Sequence, residues 1–366
     1  MSVNLNLAEA LQAVQTDLSN NVGINDPSNY QKMLGFTDYL LGATNPRTIN
    51  TTMGTASKDG KYKPVEIRYL PKKGNDDEMD AIGDYSCSRG TTRREIVETL
   101  NPTLFAGDKF TLDEAIIREG TMEGMKSRLQ LEIRDAMRNT RELMDRQLYA
   151  AAAANVGANP AASERTGASV QKGDYSALEM LNSDGTLSAD VFDAMKNDQE
   201  DNFQYGDMGV IGLNNGRKVF NRLAVGNVND GGVNFAEVND QFGMTLFKDS
   251  WTNTVQGSAN KDYVLGMYPG LTQFYQYNYY RNSDAANSVG DLSIKTTIQD
   301  PIYPITYDFH LKYDDGCSTN NPQGFWVGQL FTYHDLWIVP EEAFGEGYTN
   351  NLTDFNGIVG YNITQG

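Results

Sequence analysis

At 366 residues the chain holds enough material for two or three packing units, which excludes a disordered tail or a disulfide-stapled miniprotein. Hydrophobic residues at 39%, charged residues at 21%, 35 Gly and 20 Tyr point to a globular chain leaning towards strands and turns, not to a long helical bundle. The net charge of -18, from 30 Lys and Arg against 48 Asp and Glu, repels phosphate at long range and sets sequence-specific DNA binding aside.

In chain order, Leu7, Leu11, Val14 and Leu18 recur at helical spacing after Asn6 and predict a short amphipathic helix over 7–19. A second apolar patch, Met33 to Leu41, leads into Asn45-Pro46, so the first 50 or so residues read as an arm with small anchors that needs another surface to lie on. Thr48 to Thr55 and Val65-Glu66-Ile67-Arg68-Tyr69, around Asp59-Gly60, predict a hairpin of two strands. The segment from Lys72 to Glu78 is too polar for a core, and Cys87 to Thr92 returns as extended chain.

The strongest single signal is a helix over 112–154, opened by Thr111 with Asp113 and Glu114 in its first turn and closed by Gly157 and Pro160. Gly120 and Gly124 predict a bend or break in its first third. From Met125 onward Leu129, Ile133, Ala136, Met137, Thr140, Met144 and Leu148 form one apolar stripe, and beside it runs a row of Arg134, Arg138 and Arg141 ending at Asp145. That row is a solvated face or a ridge turned to a partner. Residues 155–190 read as a small, polar linker around a weak helix at Tyr175 to Leu181. Asp190 to Met195, 209–212, 217–223, Met244 to Phe247 and Tyr263 to Met267 predict a mixed α/β region of short elements. Between Tyr263 and Trp337 lie 16 of the 38 aromatics, in runs such as 273–277, 305–311 and 325–331 that alternate as long half-buried strands do, with the helix stripe as their cover.

Motifs for chemistry fail on spacing. Cys87, Cys317, His310 and His334 contain no C-x-x-C or H-x-x-x-H pair for zinc, and no G-x-S-x-G elbow accompanies either histidine. His334 reads as a satisfied core or strand-end histidine. The calcium-like loop 181–187 places Met180 and Val191 where acids are required. Glu341 and Glu342 are adjacent, so they point apart and cannot act as the facing acid pair of a glycosidase. No phosphate-binding glycine loop occurs. The expectation is a protein that is not an enzyme, with no cofactor and no metal. With no basic n-region and no run of 18 apolar residues, neither a signal peptide nor a membrane span is expected, and folding in a cytoplasm is.

Taken together, the order of arm, basic-tipped hairpin loop, long helix, Gly-rich mixed region and returning strands ending in residues 337–345 resembles the major capsid proteins of tailed bacteriophages, whose fold is shared with encapsulin shells. The resemblance covers roughly residues 35–350 and rests on organisation, not on a short motif. It implies an α+β chain of the Hong Kong 97-like capsid fold: an N-terminal arm over 1–49, an extended loop over 50–95, a peripheral domain over 96–184 with the spine helix 112–154, an axial domain over 185–310, and returning peripheral strands over 311–366. The implied function is structural, with pentamers and hexamers closing into an icosahedral shell around packaged double-stranded DNA that is enclosed and not read by sequence. The arm and the loop would hide their apolar residues only after assembly. The implied contact residues are Lys58, Lys61, Lys63, Arg68, Lys72 and Lys73 on the loop and Arg134, Arg138 and Arg141 on the helix. The implied partners are the chain itself and scaffolding, portal and decoration proteins; the implied location is the virion, after assembly in the host cytoplasm. An encapsulin-like compartment, or a β-rich carbohydrate-binding or carbohydrate-active protein, is the alternative.

Overall fold

The computed structural model describes residues 9–16, 34–41, 49–50, 65–69, 96–100, 103–113, 122–179, 190–202, 204–212, 242–251, 254–255, 263–277, 289–290, 293–314, 324–344 and 354–364. They divide into two units assembled from interleaved stretches of chain: Met1–Val65, Asn101–Gln147 and Phe274–Leu336 in the first, Glu66–Leu100, Leu148–Gln273 and Trp337–Gly366 in the second.

The first unit is built on a seven-stranded sheet and one long helix as far as Gln147, the rest of that helix, from Leu148, being counted in the second unit. Its strands are β1 (Ile49–Asn50), β4 (Thr103–Asp113), β9 (Thr272–Tyr277), β10 (Val289–Gly290), β11 (Ser293–Gln299), β12 (Thr306–Asp314) and β13 (Phe325–Ile338). The path runs β1-β9-β13-β12-β11-β10, with β4 also on β13. The aromatic strands expected late in the chain are these, and the cut at residue 310 falls inside β12. Period-2 alternation sorts their side chains into two faces. Ile294, Ile298, Tyr307, Phe309, Leu311, Trp326 and Leu330 are buried, and so are Phe110 and Leu112 of β4.

The helix, α3 (Met122–Ala154), has 33 residues and a length of about 50 Å. Its whole predicted stripe, from Met125 to Leu148, is buried. The start is corrected: 103–113 is strand, so Thr111 and Leu112 sit in β4, and residues 114–121 lie outside the described set. The capping signal at Thr111 lost to a long-range ladder, in which Trp326 pairs with Leu112 and Val327 with Thr111. No bend is needed at Gly124, which lies two residues inside the first turn.

Two glycines let the layers touch. A Cβ on Gly107 of β4 would sit 2.3 Å from the Thr140 Oγ1 of α3, and one on Gly328 of β13 would sit 2.3 Å from the Phe110 ring, which lies across from it in register. The Phe110 ring fills the space above Gly328 and stacks with Phe309 at 6.0 Å.

The N-terminal anchors belong to this unit as well. Residues 9–16 are helical (α1), with Ala10, Leu11 and Val14 buried, while Leu7 and Leu18 lie outside the described residues. Gln15 Nε2 donates to Thr296 Oγ1 at 3.1 Å and to the Thr297 carbonyl at 2.8 Å. A second helix, α2 (Gly35–Leu41), buries Phe36, Tyr39, Leu40 and Leu41. The expectation that the arm hides its apolar residues only after assembly is therefore corrected for 34–41, which are buried within a single chain. Of the predicted hairpin, residues 51–64 lie outside the described residues. Ile49–Asn50 pairs in parallel with Phe274 and Tyr275 of β9, while β2 (Val65–Tyr69) pairs with β3 (Ile96–Leu100) in a sheet of their own.

The second unit carries a mixed five-stranded sheet in the order β5-β14-β8-β6-β7. These strands are β5 (Tyr175–Glu179), β6 (Met208–Gly212), β7 (Met244–Lys248), β8 (Tyr263–Met267) and β14 (Ile358–Thr364). Residues 175–179 are strand where a weak helix was predicted, because β14 pairs with them in parallel from Gly360–Tyr175 to Thr364–Glu179. The segment 155–174, read as a linker, contains α4 (Pro160–Thr166), capped by Asn159 and ended by Gly167 at φ 67°. With α5 (Asp190–Asp201), the sheet buries Val191, Phe192, Met195, Met208, Phe242, Phe355 and Val359 in one core.

Filling the space of Gly328 should be costly. Gly328→Val is expected to lower stability by about 1–3 kcal/mol, and Phe110→Leu should cost less when added to it than when made alone, read by chemical denaturation of all four chains.

Candidate assembly surfaces

Seen from the helix outward, the arginine row has two different halves. Arg138 pairs with Asp135 one turn back, and Arg128 with Glu132 at 2.5 Å; Arg134 and Arg138 are half-buried. Leu131 and Leu143 are 52% and 44% exposed, large apolar side chains on the same helix. Arg141 departs from the expected surface role. It is 6% exposed, its Nε donates to the Met137 carbonyl at 3.4 Å, and it pairs with Asp300 at 3.3 Å. Arg134, Arg138, Arg141 and Asp145 do share one side of the helix, as spacing predicted, but the C-terminal half of that side is covered by the chain's own α2 and the turn at 300–303.

The covering contacts are specific. Asp145 Oδ1 accepts from the Thr37 backbone N–H at 2.7 Å and from the Thr37 hydroxyl at 2.8 Å. It thereby satisfies a first-turn amide that a short helix leaves without an intrahelical partner. Asp300 Oδ1 accepts from the N–H groups of Ile302 and Tyr303, and its Oδ2 accepts the Tyr307 hydroxyl at 3.1 Å as well as facing Arg141. The Tyr303 hydroxyl donates to Asp38 at 2.5 Å. Burial raises the Asp38 carboxyl above its ordinary range, with the bond from Tyr303 pulling the other way. Burial, and then the Asp38 carboxylate, push Tyr303 far up; burial and Asp300 do the same to Tyr307. Nothing in the sequence marked Asp38, Asp145, Asp300 and Tyr303 as a group, since the pairs lie 108 and 265 residues apart.

The second unit has its own polar cluster, buried at Asp198, Ser176, Asn159 and Asn202 and closed from the surface by Arg165. Arg165 grips Asp198 with two bonds, at 2.9 and 3.0 Å, and reaches Ser176 at 3.2 Å. Asn202 donates to Asn159 at 2.9 Å and to the Tyr268 hydroxyl at 3.3 Å. Pairing raises Arg165, whereas burial outweighs the pairing at Asp198 and leaves its carboxyl raised.

Of the loop residues predicted as contacts, Lys58, Lys61, Lys63, Lys72 and Lys73 lie outside the described residues, as do Cys87, Cys317 and the loop 181–187; Arg68 lies on β2. Glu341 heads a 3-10 turn (Glu341–Phe344) and pairs with Lys172 at 2.5 Å. In the second unit a cleft of about 900 Å³ is lined by alanines of α3, by Tyr175 and Tyr263 and by one carboxylate, Asp174. Glycoside hydrolysis requires two facing carboxyl groups. Among the described residues no group of three or more His, Cys, Asp or Glu is placed to hold a metal ion, and no helix is long and apolar enough to cross a membrane.

His334 is in the core, as expected, at 3% exposure and stacked on Phe105 at 4.3 Å. It is not fully satisfied: Nδ1 has no hydrogen-bond partner. Burial lowers its pKa to about 3.

No protein-family model and no curated protein matches the chain. The solved structures to which it is similar are phage capsid proteins. The cyanophage A-1(L) capsid asymmetric unit is 11% identical, with 92% of this chain and 95% of that chain covered and a TM-score of 0.49. A chain of Mycobacterium phage Bobi is 9% identical over 96% and 100%, with a TM-score of 0.45. The capsid of an empty GTA particle is 9% identical over 96% and 99%, with a TM-score of 0.42.

Three outcomes follow from the buried groups. Arg141→Met, which strands the Asp300 charge, should cost about 3–5 kcal/mol, and Asp145→Ala should raise the amide exchange rate at Thr37 by exposing the bond it loses. For His334 the neutral form is favoured on folding, so its contribution is fully present above pH 6.5 and is lost as pH falls towards 3. Between pH 7 and 5 it should withdraw about 2 kcal/mol of stability, a loss absent from His334→Phe in denaturation curves at the two pH values.

Proposed function

We propose that the chain is a structural capsid protein that assembles through repeated contacts between copies into rings of five and six and then into a closed icosahedral shell around double-stranded DNA. The observation that carries this reading is the order of parts along the chain. Arm anchors, β4 and α3 come first, a unit of short α/β elements is inserted, and β9 to β13 then return to complete the first unit. This is the segment order on which the resemblance to tailed-phage capsid proteins rests.

A shell protein needs heterologous contacts that close on themselves. The half-exposed ridge of α3, with Arg134, Arg138, Leu131 and Leu143, is offered as one such surface. The loop cations Lys58, Lys61, Lys63, Arg68, Lys72 and Lys73 are offered as the other side of contacts to acidic neighbours. Arg141 is removed from this set and given an internal role. The net charge of -18 gives the shell an acidic wall to which packaged duplex sticks weakly. Virion location, cytoplasmic assembly and scaffolding, portal and decoration partners belong to the same reading.

Light scattering and negative-stain imaging of the purified protein test it. Rings near 200–250 kDa, from a 40.5 kDa chain, or much larger shells are expected. A monomer at every salt and protein concentration, with and without a co-expressed scaffold, would overturn it. Replacing the six loop cations by Ser should leave the fold intact and abolish shells.

A further inference from the structure

The edge strands of the seven-stranded sheet differ greatly in length. β1 and β10, at the two ends of the path, have two residues each, whereas β4 has eleven and, among the described residues, pairs with β13 alone. In an antiparallel ladder every second residue turns its N–H and C=O away from a given neighbour, so β4 carries a row of backbone donors and acceptors along its free side. Such edges are normally guarded by shortness, proline, charge or a bulge. β4 contains no proline, and its one irregularity falls at Gly107 and Asp108, where the Asp108 N–H is turned to the Thr140 hydroxyl at 3.3 Å. Beyond it the strand is regular: Lys109 to Asp113 pair one for one with Gln329 to Phe325.

The run Lys109-Phe110-Thr111-Leu112-Asp113 is complementary to itself when reversed. A second copy of it, laid antiparallel about a two-fold axis through Thr111, sets Lys109 opposite Asp113, Phe110 opposite Leu112 and Thr111 opposite its own equivalent. Opposite residues share a face of the sheet, and opposite-charge and Thr–Thr pairs both stabilise it. Phe110 and Leu112 are buried and would continue the buried layer, while Thr111 and Lys109 are exposed. Axes through Lys109 or Asp113 set like charges face to face, and axes through Phe110 or Leu112 pair neither charge with its opposite. The rest of the face follows the same reversal. Lys295 and His310 lie in the row of Lys109, Lys312 in the row of Thr111 and Asp314 in the row of Asp113, so the two-fold brings a basic row beside an acidic one.

We propose that two copies of the chain pair along the free edge of β4, strand to strand and antiparallel about Thr111, joining their seven-stranded sheets into one. The partner is selected twice over. Free backbone groups in a row accept only another extended strand, and the register of residues 109–113 matches that strand to itself. The contact is isologous and links copies in pairs. On the shell reading, on which the proposal rests, it joins neighbouring rings and leaves the contacts within a ring to other surfaces.

The test is charge reversal with rescue, read by sedimentation, with circular dichroism to confirm folding. Lys109→Asp and Asp113→Lys each set like charges opposite one another and should weaken association about tenfold, whereas Lys109→Asp/Asp113→Lys should restore it. Lys109→Gln and Asp113→Asn replace a reversal that fails to fold and should weaken association in the same direction. In an equal mixture of plain and isotope-labelled wild-type chains, a carbodiimide should join Lys109 of one copy to Asp113 of another, identified by mass spectrometry. Single variants that associate like the wild type, or a double variant as weak as the singles, overturn the pairing and leave the shell reading standing. Lys109 joined instead to another segment of a second copy, or to a different protein, also overturns it. A wild type that never associates overturns both.

Discussion

The buried carboxylates around Arg141 impose the strictest constraint on the first unit. A guanidinium and its partner removed from water each carry a desolvation penalty of several kcal/mol, recovered only when their geometry and remaining hydrogen bonds are correct. Here Asp300 has two backbone amides and the Tyr307 hydroxyl in addition to Arg141, and Asp145, one helical turn away, takes both donors of Thr37. The helix α2, the second half of α3 and the turn before β12 are therefore tied at one point. Tyr303 on Asp38 adds a second tie between the same arm segment and the same turn.

That constraint explains why a seven-residue helix such as α2 is held at all. Segments this short are marginal in water and depend on tertiary contacts. Phe36, Tyr39 and Leu40 supply apolar burial, and the Asp145 carboxylate supplies the capping acceptor that the Leu34 side chain, just before the helix, lacks. It also explains why one arginine row changes character along its length: Arg138 meets a carboxylate of its own helix, while Arg141 meets the turn of a distant segment.

The first unit packs one face of a long-stranded sheet against one stripe of α3, brought close by Gly107. The opposite sheet face and the outer helix ridge stay half-exposed. The second unit has a five-stranded sheet and a core in which Asn159, Asn202, Tyr268 and Tyr361 hydrogen-bond one another, with buried Asp198 gripped from the surface by Arg165.

The sequence by itself determined what depends on local period. The stripe from Met125 to Leu148 repeats often enough to specify a helix face, and the alternation in 305–311 and 325–331 specifies strands with one buried side. The order of those parts was enough to suggest a capsid-like architecture. Tertiary structure decided whatever depended on pairing between distant residues. Thr111 and Leu112 became strand because β13 lay beside them, Tyr175 to Glu179 became strand because β14 did, and Ile49–Asn50 joined β9. The same holds for Arg141: its spacing gave the correct side of the helix, but its burial was set by Thr37 and Asp300, which no local pattern brings near it.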